Sequence, residues 1–317
     1  MIKSAIVTGG TGVTGNALIR YLLGMKVKVT ALVRPDSPRE KYLPKDDPLL
    51  RLVSCGLDGY ADIDFLLKRG KYDVFFHLAW DGSRWKDKEA SRRAFHLQNQ
   101  NVGYSLDAVE LCHRLECPVF VMTGSQAEYG RHNYPIAETE EKHPENGYGM
   151  AKLCAEGMTR LLCREYEIRH VWPILFSVYG PYDGTESLID TTIRGLLQGE
   201  RRRFTEGIQK WDYLYSYDAA RALSMLAEKG RDGEAYHVAS GISISIEEYV
   251  RQLYEVVSPS EKPRLGELKY SDNSVMFLGA DIHKIKEELG FEPEYDFKSG
   301  IHQIVETILL EMGDAKE

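Results

Sequence analysis

The chain is poor in cysteine, has no long basic block and contains no extended apolar run, and each shortage removes a class of function. Five cysteines (Cys55, Cys112, Cys117, Cys154 and Cys163) stand in 317 residues. Their number is odd and their spacing matches no paired metal-ligand motif. They read as reduced thiols, so a cytoplasmic protein without a metal is expected. The formal net charge is −8, and the one basic cluster, Arg201-Arg202-Arg203, is short. Nucleic acid is therefore not an expected partner. No apolar stretch approaches the roughly 20 residues of a bilayer-spanning helix. Met1-Ile2-Lys3 leads directly into an apolar strand with no signal-like segment, so neither a membrane nor secretion is expected.

What the chain does have begins at its amino-terminal end. Ala5-Ile6-Val7 is a short apolar run, and Ala17 to Leu23 has helical spacing. Between them lies Thr8-Gly9-Gly10-Thr11-Gly12-Val13-Thr14-Gly15, with glycines at 9, 12 and 15. A strand that turns this sharply into a helix leaves bare backbone at the helix's positive end, where a pyrophosphate can settle. Glycine accepts the unusual dihedrals and puts no side chain in the way.

A second motif follows the apolar run Pro118-Val119-Phe120-Val121-Met122. That strand ends in Thr123-Gly124-Ser125-Gln126-Ala127-Glu128-Tyr129-Gly130. Tyr148 and Lys152 then stand four apart at the start of a segment, Met150 to Tyr166, that reads as a helix. The spacing puts both side chains on one helical face. A neighbouring ammonium favours the phenolate of a tyrosine that is otherwise a poor base at neutral pH.

Taken in this order, the motifs resemble those of the extended short-chain dehydrogenase/reductase family, in its branch of nucleotide-sugar epimerases, dehydratases and reductases. Further segments carry the resemblance along nearly the whole chain. His77-Leu78-Ala79 after Val74-Phe75-Phe76, Asn101-Val102-Gly103, and Phe176-Ser177-Val178-Tyr179-Gly180-Pro181 are similar to family signatures. So is Lys210-Trp211-Asp212-Tyr213-Leu214-Tyr215, followed by Asp218-Ala219-Ala220. The resemblance implies that Ser125, Tyr148 and Lys152 are the catalytic residues. Tyr148 would pass a proton to or from the oxygen on sugar carbon 4, and Ser125 would hold that oxygen. Lys152 would tune the tyrosine and bind the nicotinamide ribose. It further implies a dinucleotide held by Gly9, Thr11, Gly12, Val13, Gly15, Leu78, Ala79 and Asn101, with Asp58 at the adenine. Substrate contacts are expected from Trp80, Gln126, Ser177, Arg203 and Trp211, and from the loop Trp80-Asp81-Gly82-Ser83-Arg84-Trp85.

The pattern of apolar strands alternating with amphipathic helices calls for an α/β fold, a doubly wound parallel (Rossmann) sheet with a smaller mixed substrate lobe. Strands are expected at Ala5–Val7, Val27–Val33, Leu50–Ser54, Val74–His77, Val119–Thr123 and His170–Leu175. Residues 1–181 plus about 213–242 are assigned to the dinucleotide domain. Residues 182–212 plus 243–317 are assigned, by the resemblance, to the substrate lobe. Helices around Asn99 to Leu115 and after Tyr148 offer more apolar surface than one core needs, and in the family such helices pair into a four-helix bundle, so a homodimer is expected.

Cofactor and reaction turn on single residues. The second strand ends in Arg34, where NAD binders place an acid on the ribose hydroxyls. This points to NADP(H), with NAD(H) as the alternative and Asp36 as counter-evidence. Sugar 4,6-dehydratases carry an Asp-Glu pair where this chain has Gln126-Ala127, which argues against dehydration. Ser177 replaces a common asparagine and Trp211 a common arginine. With Arg34 they tilt the reading toward a 4-keto-sugar reductase over a 4-epimerase. A non-catalytic dinucleotide-binding regulator is the reading from another class, set back by the presence of Ser125, Tyr148 and Lys152 together.

Overall fold

Ala5, Ile6 and Val7 are fully buried, as residues on both faces of a central parallel strand must be. The computed structural model describes residues 1–82, 87–184, 187–271 and 274–314. Its first half runs β1 (Ser4–Thr8), α1 (Val13–Gly24), β2 (Lys28–Val33), β3 (Leu50–Ser54) and β4 (Val74–His77). There follow α2 (Lys88–Arg93), α3 (Phe95–Arg114), β5 (Val119–Met122), the short β6 (Gly124–Ser125), α4 (Gly147–Glu165) and β7 (Arg169–Leu175). The six strands expected from the sequence are present, with ends displaced by a residue or so. α4 starts at Gly147 because the Asn146 side chain caps it, accepting from the Gly149 amide at 2.9 Å. Tyr148 and Lys152 therefore lie inside its first two turns.

The remaining elements are β8 (Ser177–Tyr179), α5 (Leu188–Leu197), β9 (Lys210–Trp211), β10 (Tyr213–Tyr215), α6 (Ser216–Lys229) and β11 (Glu234–Val238). The chain closes with β12 (Ile244–Ser245), α7 (Ile246–Val257), β13 (Phe277–Leu278), α8 (His283–Leu289) and α9 (Phe297–Asp314).

The main sheet runs β3-β2-β1-β4-β5-β7-β11, and every pair in it is parallel. Strand order reverses between β1 and β4, so the connections leaving their carboxyl ends go opposite ways and open a crevice. One core covers a face of the sheet with Leu18, Ile19 and Leu22 from α1 and Leu223 and Leu226 from α6. A second core on the α3 and α4 side includes Val109, Leu111, Ala151 and Ala155. This is the doubly wound α/β fold.

A third apolar cluster joins Ile189 and Ile193 of α5, Leu253 of α7, and Ile301 and Ile304 of α9. It draws on both chain segments expected to form a substrate lobe. Part of the second segment packs elsewhere, however. Ile285 of α8 and the following Phe291 belong to the sheet's first core. α8 lies against the edge strand β11 and against α6, covering apolar surface that an edge strand leaves open.

Candidate active site

The crevice at the β1/β4 reversal is a cleft of about 930 Å³. Its floor is the turn from β1 into α1. Gly9 has φ +70, a left-handed conformation that side chains rarely adopt. Gly15, in the first turn of α1, approaches the Gly9 carbonyl so closely that a Cβ would come within 2.3 Å of its oxygen. The Gly12 amide closes the turn on Gly9 O at 3.0 Å. Thr11, Gly12 and Val13 all line the cleft, beside the amino terminus of α1. Backbone of this kind, unobstructed at a helix's positive end, suits a pyrophosphate.

The opposite wall is tied to this turn by Thr8. Its Oγ1 accepts from the Leu78 and Ala79 amides, both at 3.2 Å, and lies 3.0 Å from His77 Nδ1. Leu78 and Ala79 thereby reach the cleft. Burial holds His77 neutral, with its pKa lowered to about 3 and the charge of Lys152 acting in the same direction. Arg34 and Asp58 both line the cleft, just after β2 and β3. Asn101 does not line the cleft: its amide grips the backbone of Asp81, accepting from N at 2.8 Å and donating to O at 3.1 Å. It thus fixes the start of the 80s loop. Ser83, Arg84 and Trp85 lie outside the described residues.

The catalytic candidates meet at the carboxyl ends of β5 and β6. Ser125 is buried, and its side chain is near enough to Tyr148 to lower the phenol's pKa. It begins a single helical turn in which its Oγ accepts from the Ala127 amide at 3.2 Å, while Glu128 accepts from the Ser125 amide at 2.7 Å. Burial raises the Tyr148 pKa and Glu128 adds to the rise, whereas Ser125 and Arg92 oppose it. The phenol is therefore protonated at neutral pH.

Lys152 is placed differently from a simple partner of that phenol. Its Nζ donates to the Thr123 carbonyl at 2.8 Å and lies 3.9 Å from the centroid of the Trp80 ring. Burial lowers its pKa to about 7, with Glu128 pulling the other way. Trp80 is itself buried, and its ring meets Tyr148 edge-on at 6.0 Å. Trp80 and Thr123 both line the cleft, so Lys152 stands just behind its wall.

Ser177 and Trp211 bond to one another, Trp211 Nε1 donating to Ser177 Oγ at 2.6 Å across the β8 side of the lobe. Gln126 is half-buried beside Ser125. Arg203 is exposed on a bridge to Arg264, and it does not line the cleft.

Arg39, which with Ser37 follows close behind Arg34 and counts with it toward a 2′-phosphate, donates to Thr11 O at 2.9 Å and also to Tyr182 O, so it joins the glycine turn to the segment after β8. Sequence reasoning passed over Tyr104 of α3, which lines the cleft, and the ion pair of Glu128. Glu128 takes Lys142 at 2.9 Å, and Lys142 also pairs with Glu156 of α4. No periodicity marks the Lys142 pairs, which join separate elements, although the Ser-x-x-Glu spacing of Ser125 and Glu128 is itself a capping signature. Among the described residues no group of three or more His, Cys, Asp or Glu forms a metal site, and no helix is long and apolar enough to cross a membrane.

A parallel sheet with a glycine-lined cleft at its switch point defines a dinucleotide-binding (Rossmann) fold. The model of the NAD dependent epimerase/dehydratase family matches residues 5–239, and the chain belongs to that family. It is similar to the dTDP-glucose 4,6-dehydratase of Haemophilus influenzae, at 25% identity over 97% of this chain and 98% of that one. A solved UDP-N-acetylglucosamine 4-epimerase from Methanobrevibacter ruminantium matches with a TM-score of 0.86 and 25% identity, covering 98% of this chain and 99% of its own. A dTDP-glucose 4,6-dehydratase from Streptomyces venezuelae, solved with NAD, has the same fold, with a TM-score of 0.83 at 21% identity over 98% of each chain.

These relatives correct the exclusion of dehydration. Gln126 and Ala127 carry no acid, yet proteins named 4,6-dehydratases match over almost the whole chain. Two side chains do not decide the reaction, because a folded site gathers its acids from several elements. Here a carboxylate, Glu128, follows directly after Ala127 and accepts the Ser125 amide at 2.7 Å.

Proposed function

We propose that the protein is an NAD(P)-dependent oxidoreductase acting at carbon 4 of a nucleotide-activated sugar. The observation that carries this reading is a cleft whose glycine floor has no room for a Cβ and whose wall, at Trp80 and Thr123, touches Tyr148 and Lys152. Gly9, Gly12 and Gly15 with the α1 amino terminus would hold the dinucleotide's pyrophosphate, and Arg34 and Asp58 its adenosine. When bound, the nicotinamide supplies or accepts the hydride. Ser125 orients the carbon-4 oxygen, and Tyr148 exchanges a proton with it.

Reduction of a 4-keto sugar is the finer reading. Its support is the protonation of Tyr148, which suits a proton donor better than a base. Epimerisation is the second reading, favoured by the likeness to a 4-epimerase over nearly the full chain. The names of the family and of the dinucleotide-bound neighbour carry NAD, which puts NAD(H) first. NADP(H) rests on Arg34 alone, because Arg39 is already committed to two carbonyls.

The test is to denature the purified protein and identify the dinucleotide released. NAD(H) near one per chain supports an epimerase that regenerates its cofactor. A protein that releases none and then binds NADH or NADPH supports the reductase, and Arg34→Ala should abolish any preference for NADPH. Binding of neither ends the oxidoreductase reading.

Dimerisation belongs to the same proposal. Met150, Met158 and Leu161 on α4 and Phe95 on α3 are exposed, and these helices pack on one another. A second copy laid on that face would cover them. Elution at the mass of a single 36.1 kDa chain would rule the dimer out.

A further inference from the structure

Trp80 stands three residues beyond the end of β4, where the chain leaves the sheet beside the crevice. Its indole is held with unusual completeness. Nε1 donates to Gln98 Oε1 at 2.8 Å, and Gln98 Nε2 donates to Ser91 O at 2.9 Å. Ser91 Oγ in turn donates to Gly82 O at 2.7 Å, and Asn101 grips Asp81 next in the chain. Trp80, Ser91, Gln98 and Asn101 are all buried. A fully bonded buried network of this kind fixes ring orientation, since a loose ring would leave amide groups unpaired.

The fixed ring turns its face to Lys152, whose ammonium has three protons to satisfy and is buried. The Thr123 carbonyl takes one of them at 2.8 Å, and the indole face lies 3.9 Å away. An aromatic face attracts a desolvated cation through its quadrupole, indole most strongly. Lys152 is thus held by two groups that both line the cleft.

We propose that Trp80 is a positioning residue for Lys152: its clamped indole keeps the ammonium against the Thr123 carbonyl until dinucleotide enters, and competes with that dinucleotide for it. The inference rests on the reading of the cleft as a dinucleotide site. Any group that recruits Lys152 must first draw it off the ring, so the indole weakens binding while holding the lysine in a single place.

Two measurements test this. The first needs no dinucleotide: the Trp80 contribution to fluorescence, taken as wild type minus Trp80→Phe, is followed between pH 6 and 9. The groups facing Lys152 are Glu128 from the turn after β6, His77 on β4 and Tyr148 on α4. His77 is neutral and Tyr148 protonated across that range, and Glu128 stays paired with Lys142. A transition near pH 7 that disappears in Lys152→Met is expected. Its absence in wild type, or its persistence in Lys152→Met, overturns the inference.

The second measurement is calorimetric titration with NADH and with NADPH at pH 6, where Lys152 is charged. Trp80→Leu should bind the preferred dinucleotide about three- to thirtyfold more tightly than wild type. Trp80→Phe, which keeps a ring face, should fall between the two. Gln98→Leu leaves the ring in place but cuts its tether, and it should also tighten binding, covering the case in which Trp80→Leu does not fold. Unchanged or weaker binding in Trp80→Leu and Gln98→Leu, with wild type binding normally, overturns the role of Trp80 alone. Binding of neither dinucleotide by wild type overturns the dinucleotide reading and this inference together.

Discussion

The carboxylate of Glu128 accepts the backbone amide of Ser125 at 2.7 Å, from a side chain that is fully buried. The same carboxylate takes Lys142, and Lys142 reaches on to Glu156 of α4, one turn beyond Lys152. The loop that carries Ser125 and the helix that carries Tyr148 are thus joined by charge as well as by packing. Burial raises the Glu128 pKa while Lys142 lowers it, and the two carboxylates raise that of Lys142.

Lys142→Met should therefore cost about 3–5 kcal/mol of stability, because it leaves a buried carboxylate unpaired. Glu128→Gln keeps an acceptor for the Ser125 amide and should cost clearly less. Denaturant unfolding of both variants measures this. Equal losses would mean that the ion pair contributes nothing beyond the hydrogen bond.

Tyr148→Phe removes the proton donor but keeps the ring against Trp80. Turnover should fall by roughly 10²–10⁴, with dinucleotide affinity within a factor of about two of wild type. Steady-state rates with a 4-keto nucleotide sugar, paired with direct titration of the dinucleotide, separate the two effects. A full-rate Tyr148→Phe enzyme would remove Tyr148 from the chemistry.

Gly15→Ala puts a Cβ within 2.3 Å of Gly9 O and 2.9 Å of Gly10 Cα, both backbone atoms that cannot step aside. The turn must open, and dinucleotide affinity should drop by at least about tenfold. Calorimetric titration reads the loss. Gly24→Ala, at a helix position with open space around it, is the control that should bind normally.

His170 is buried with its Nε2 3.0 Å from Thr159 Oγ1, and burial lowers its pKa to about 4. The unfolded chain takes up a proton near pH 6.5 that the folded chain refuses until about pH 4. The stability His170 contributes is thus whole above pH 6.5 and is lost as pH falls toward 4. The stability gap between wild type and His170→Gln should shrink over that window, with a slope approaching about 1.4 kcal/mol per pH unit. The other buried histidines, His77 and His237, are common to both proteins and cancel. A gap independent of pH would show that His170 titrates normally in the fold.

Much of the architecture was legible because it is local. The alternation of apolar strands with helices places the sheet, and a strand's burial on both faces shows directly in Ala5-Ile6-Val7. The four-residue spacing of Tyr148 and Lys152 follows from helix geometry alone. The seventh strand, Glu234–Val238, was not foreseen, because Glu234 and His237 interrupt its apolar pattern. Only the fold shows that the His237 ring is buried against Tyr129, bonding its hydroxyl at 2.9 Å.

The positions of the glycines, the serine, the tyrosine and the lysine were set by the sequence itself, since each depends on neighbours within one turn or one strand end. Which way Lys152 faces was not, nor that Ser177 and Trp211 satisfy each other. The contacts of Lys152 and of Ser177 join residues dozens of positions apart, where no period in the chain constrains them, whereas the hold of Glu128 on Ser125 is a local capping turn that the Ser-x-x-Glu spacing could have shown. Only when the elements pack is it decided which buried charge finds a carbonyl, a ring or a partner, because each must find one to be buried at all.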